Sequence, residues 1–100
     1  MPKYVNLWEM DMSRIPADPN ECMMLLQKMT EMTKQVLKEH PGAQWGSFIG
    51  ENKGFAVGEM SWQDIVKINQ MFAPYVINKT YQAASIEELE GVLKSMMPPK

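Results

Sequence analysis

One cysteine and one histidine are all that this 100-residue chain offers of the two most versatile catalytic side chains. With Cys22 alone no intrachain disulfide forms, and a reducing, cytoplasmic setting is the default expectation. With His40 alone there is no local Cys/His pair, and no spacing favours a Ser/His/Asp set. Long apolar runs are missing too. None approaches the roughly 20 residues that a membrane-spanning helix needs, so no membrane partner is expected. The opening MPKYVNLWEMDM lacks the apolar core and small residues of a secretory signal. Neither sign of charge dominates: ten Lys and Arg against twelve Asp and Glu leave a net −2. That balance argues against a disordered tail or a polyanion-binding surface. There is no glycine-rich phosphate loop, since Gly50 and Gly54 flank a turn rather than open a helix. Metal-ligand spacing is absent as well, and neither a metal nor a cofactor is expected.

The apolar content, 45%, suits one domain over residues 1–100 with a core of modest margin. Methionine is abundant, with eleven copies. Met23, Met24, Met29 and Met32 beside Cys22 would supply soft ligands for Cu(I). The simpler account is that methionine fills irregular gaps in a core or a dimer contact, since Met29 and Met32 fall inside one regular helix.

The pattern reads strand, helix, strand, strand, helix, strand. The first strand spans Lys3 to Asp11, with Val5 and Leu7 alternating against Tyr4, Asn6, Trp8 and Met10, so bulky groups point both ways. Asp18, Pro19 and Glu21 form a capping-box start for a long helix with Cys22, Leu25, Leu26, Met29, Met32, Val36 and Leu37 inward. His40-Pro41-Gly42 ends it. Strands over Gln44–Ile49 and Phe55–Met60 flank a hairpin loop in which Gly50 and Gly54 supply positive φ. Ser61 to Asp64 caps a second helix with Ile65, Ile68, Met71 and Phe72 inward, and Pro74 stops it. A strand over Ile77–Ala84 follows, then a short helix with Leu89, Val92, Leu93 and Met96 inward.

This order predicts an α+β, ferredoxin-like βαββαβ sandwich: a four-stranded antiparallel sheet, two main helices on one face, and a short C-terminal helix. The other face is left open, and Trp8 or Tyr4 is expected in a protein–protein contact there. A homodimer through that face is the expected assembly.

Several relatives of this fold are tested by their residues. The element order and Asn6 beside tryptophans resemble oxygenases of the dimeric barrel type, but helix SWQDIVKINQMFA has no histidine to hold haem iron. Arg14 lies where acylphosphatases carry an arginine, yet no phosphate cradle surrounds it and the second strand has no asparagine. Glu9, Asp11 and Glu59 read as solvated edge charges. The octapeptide Lys53 to Met60 resembles the third-strand motif of RNA-recognition domains, with Phe55 as an aromatic platform and Tyr4 or Trp8 as its partner. Val57 and Met60 depart from that motif, and the mild acidity opposes phosphate binding, so no nucleic-acid partner is expected.

From Gly54 to Leu89 the chain resembles a family of small, functionally uncharacterised domains related to the dimeric α/β-barrel proteins. The shared features are a Gly-Phe-Ala strand ending in Glu59, the helix after it, the Ala73-Pro74-Tyr75 turn, and a short acidic helix. Tyr4 to Trp8 match the family's opening strand. The resemblance implies a dimeric barrel but no catalytic residues. The resulting expectation is a small apolar or aromatic ligand bound without catalysis, in a pocket near Asn6, Trp8, Phe55, Glu59 and Tyr81. The alternatives are a cofactor-independent monooxygenase or isomerase-like enzyme, and an RNA-binding module. An ordered apolar cavity with a buried carboxylate or asparagine would favour the enzyme.

Overall fold

Each helix starts where the sequence supplies an oxygen for its free N–H groups. In the computed structural model, which describes residues 2–98, Asp18 accepts from the backbone N–H of Glu21 at 3.0 Å and opens α1 (Pro19–Glu39). Ser61 accepts from Asp64 at 3.2 Å and opens α2 (Trp62–Phe72). Ser85 opens α3 (Ile86–Met96) with a full reciprocal box: its hydroxyl accepts from the Glu88 N–H, and its own N–H donates to the Glu88 carboxylate. At α1 only the aspartate half of the predicted box is made.

The strands are β1 (Lys3–Met10), β2 (Gln44–Ser47), β3 (Lys53–Glu59) and β4 (Val76–Ala83). They form one antiparallel sheet in the order β2-β3-β1-β4, consistent with a ferredoxin-like α+β fold. Strand β2 is shorter than its apolar run suggested. After Ser47 the chain turns: the Phe48 N–H reaches the Lys53 carbonyl, and the Glu51 N–H reaches that of Phe48. Gly50 takes φ +82°, which a side chain would resist. Gly54 does not share that role. It lies buried within β3, where a Cβ would strike the Gly46 carbonyl and the Trp8 ring.

Register assigns the two faces. Leu7 pairs with Phe55 and Lys79, and Val5 pairs with Val57 and Tyr81, so these side chains share one face. Tyr4, Asn6, Trp8 and Met10 stand on the other, where side chains of α1 and α2 also gather. This corrects the placement of Tyr4 and Trp8. They belong to the helix side, and the open face carries Val5, Leu7, Phe55, Val57, Ile77 and Tyr81. The reason is space: Gly54, Ala56 and Gly58 on β3 leave room for large rings on the helix side only.

The layers are loosely closed. Among the described residues, Met29 and Met60 are the only buried apolar side chains, and neither is fully enclosed. Met71, expected inward, is exposed, and Asn69 takes an inward position instead. Every residue of α3 is exposed, including the stripe Leu89, Val92, Leu93 and Met96 that was expected to be covered. The molecule measures 68 × 24 × 22 Å with a radius of gyration of 17.4 Å. A compact chain of this length would have about 13 Å. No described helix is long and apolar enough to cross a membrane.

Candidate functional site

Between the helices and the sheet lies a cavity of about 460 Å³. That size suits a drug-sized or smaller molecule. Its floor is the inner face of the sheet, with Tyr4, Asn6, Trp8, Trp45, Ala56 and Asn78. Its roof comes from α1 through Leu26, Met29, Val36 and Leu37, and from α2 through Ile65, Ile68 and Phe72. The lining is overwhelmingly apolar. Among the described residues no carboxylate, histidine or cysteine side chain reaches it, and Lys34 is the one charged side chain on its border. Lys34 is largely exposed and already meets Glu31 at 3.4 Å.

Two aromatic rings form one wall. Trp8 and Trp45 stack with centroids 5.3 Å apart and planes 6° from parallel. The stack exists because Trp8 lies opposite Gly54 and Trp45 opposite Ala56, so the rings lie flat over small residues. The Trp8 indole N–H is buried and has no acceptor among the described residues. A buried donor left unpaired costs on the order of 1–3 kcal/mol, and buried indoles usually find a partner.

Across the inner face runs a ladder of polar side chains. The Asn69 amide donates to the Thr80 hydroxyl at 3.4 Å, that hydroxyl donates to Asn6 Oδ1 at 2.8 Å, and the Asn6 amide donates to Asn78 Oδ1 at 2.8 Å. The ladder ties α2, β4 and β1 together across half-buried positions. Asn69, Asn78 and Thr80 escaped the sequence reading. The available signal was Asn78 and Thr80 alternating with Ile77, Lys79 and Tyr81. That alternation suggests polar side chains outward, and β4 does the reverse.

The five residues expected to surround a pocket separate into two groups. Asn6 and Trp8 line the cavity. Phe55 and Tyr81 stand on the open face, where Tyr81 is 56% exposed. Glu59 is exposed at the end of the sheet opposite Lys3, beside a shallow depression that also includes His40. One chain therefore does not bring the five together. The acids are equally dispersed: Glu9 pairs across the sheet with Lys53, and Asp11 caps the turn at Met12–Arg14 and meets Arg14 at 3.9 Å. The RNA-recognition likeness also loses its geometry. Phe55 lies on the open face while Tyr4 and Trp8 lie on the other, and β1 offers only Val5 and Leu7 beside it. Among the described residues no three His, Cys, Asp or Glu side chains cluster as metal ligands would. Comparison with family profiles, curated proteins and solved structures returns no match to this chain.

Proposed function

We propose that this protein binds a small apolar or aromatic molecule, without catalysis, in the cavity between its helices and the inner face of its sheet. The observation that carries this reading is a 460 Å³ apolar space walled by the Trp8–Trp45 stack. Acid–base chemistry needs a titratable group within reach of the reacting atom; among the described residues Tyr4 and Lys34 are the titratable groups at the cavity, and no carboxylate or imidazole lines it. Saturable binding of the neutral fluorescent probe N-phenyl-1-naphthylamine tests it. Ala56→Leu, which fills the floor, should weaken that binding at least tenfold with unchanged far-UV circular dichroism. Absence of saturable binding to the unaltered protein would contradict the reading.

The half-buried asparagines favour a second reading, a cofactor-independent monooxygenase or isomerase-like enzyme. An asparagine there would orient a substrate carbonyl or phenol. The lack of a carboxylate or imidazole among the described lining residues places this second. Oxygen uptake with a phenolic anthrone as substrate would reverse the order.

We further propose, independently of the cavity, a homodimer of the dimeric α/β-barrel type with open sheet faces packed together. Leu7, Ile77 and Tyr81 are each more than 40% exposed on that face. Val5, Phe55 and Val57 stand among them by register. A monomer seldom exposes so much contiguous apolar surface, and a two-fold partner would cover it with the same patch.

A further inference from the structure

Helix α3 has the sequence of a packed helix and the surroundings of a bare one. Ile86, Leu89, Leu93 and Met96 recur at alternating spacings of three and four, which sets them in one row, and Val92 widens it. All five are between 48% and 74% exposed. The helix is 11 residues long and carries Gly91 in its interior. Isolated helices below about 12–15 residues are marginal in water, and an interior glycine weakens them further. The Ser85–Glu88 box fixes where α3 starts but ties it to no other element. The stripe needs a surface to lie on, and its own chain leaves every residue of it exposed.

We infer that α3 is an arm exchanged between two copies of this chain, an inference that rests on the homodimer proposed above. The stripe of each copy docks on the β4 margin of the other's open sheet face, over Ile77, Lys79 and Tyr81. Two observations select this occupant. The first is area. By strand spacing and rise, the four strands present a face of about 450 Å² in plan, against about 800 Å² per partner in a stable interface. The sheet faces alone fall short, and the stripe extends the contact. The second is charge. On the open face Lys3 stands across from Glu59 and Glu9 across from Lys53, whereas Lys79 stands across from Leu7 and faces no acid. Helix α3 carries the complement: Glu88 and Glu90 border the stripe on its two sides, and with Glu87 and Lys94 the helix is net acidic. Lys79 lies on β4, the outermost strand on its side of the sheet, between exposed Ile77 and Tyr81. An arm seated there leaves Val5, Leu7, Phe55 and Val57 to meet the other sheet. An exposed Glu90–Lys79 pair contributes little energy, so apolar burial holds the arm and the charges set its place.

The test mixes carbon-13-labelled and unlabelled copies of the full chain, so that isotope-filtered NOE spectra record contacts between copies alone. Contacts from the Leu89 and Leu93 methyls of one copy to the Tyr81 ring or the Ile77 methyls of the other are the expected result. Contacts from those methyls to α3 of the other copy only, or no contact from them in a sample with the mass of two chains, overturn the arm and leave the homodimer standing. Light scattering supplies that mass and the dissociation constant. Leu89→Gln with Leu93→Gln should raise the constant at least tenfold, and an unchanged constant also overturns the arm. Lys79→Glu should weaken pairing, because it sets acids against acids, and Glu90→Lys in the same chain should restore it; failure to restore overturns the seat on β4. A single-chain mass for the unaltered protein overturns the homodimer and the arm with it.

Discussion

A hydrogen atom is the only side chain that position 54 accepts. A Cβ there would lie 2.6 Å from the Trp8 ring and would also strike the Gly46 carbonyl, so neither ring nor backbone could stay in place. The Trp8–Trp45 wall depends on that vacancy, and so does the close approach of β2 to β3. Gly46 has the matching relation on the open face, where a Cβ would fall 2.5 Å from the Phe55 ring. Gly54→Ala is therefore expected to destabilise the fold by about 1–3 kcal/mol, in the range typical of overpacking. Urea denaturation followed by tryptophan fluorescence measures it. The same change at Gly42, where a Cβ would meet nothing within 4 Å, should be close to neutral.

Local signals made the elements legible, and ambiguous ones hid the faces. Asp18, Ser61 and Ser85 mark the three helix starts because a cap acts on the next turn of its own chain. The antiparallel sheet and its element order were readable for the same reason, from short apolar runs between turn residues. The inner face of β1 was not, because Tyr4, Trp8 and Met10 on one side and Val5 and Leu7 on the other are all bulky. A one-residue shift exchanges such sets. The deciding signal sits on the neighbouring strand, in the small residues Gly54, Ala56 and Gly58. Of the candidate site, Asn6 and Trp8 were accordingly legible, whereas Asn78, Thr80 and Asn69 were hidden by their polar character. The capping box of α3 has a pH consequence. The Ser85 backbone N–H, followed by its hydroxyl, holds the Glu88 carboxyl below the ordinary carboxylate range. A group whose pKa is lower in the folded state stabilises above its unfolded pKa, and that contribution fades as pH falls through the folded value. Amide exchange at the start of α3 should therefore lose protection on acidification through the carboxylate range. Glu88→Gln should remove most of that pH dependence.

Taken whole, the molecule has two surfaces that a single chain leaves uncovered, the open sheet face and the apolar stripe of α3. It extends 68 Å along its principal axis. For the proposed homodimer, light scattering at low micromolar concentration should give twice the 11.5 kDa chain mass. Leu7→Lys, on the open face, should return it to one chain while circular dichroism stays unchanged. A single-chain mass for the unaltered protein would contradict the pairing. The cavity reading stands apart from that result, since its lining comes from one chain. Its most direct test uses the three tryptophans as reporters, because Trp8 and Trp45 wall the cavity while Trp62 is 63% exposed at the start of α2, outside the lining. The measurement is a nitrogen-15 spectrum of the three indole N–H groups during titration with 2-acetylnaphthalene. Saturable shifts of the Trp8 and Trp45 resonances, with Trp62 unmoved, are the predicted result; three unmoved resonances, or movement of Trp62 alone, would contradict it.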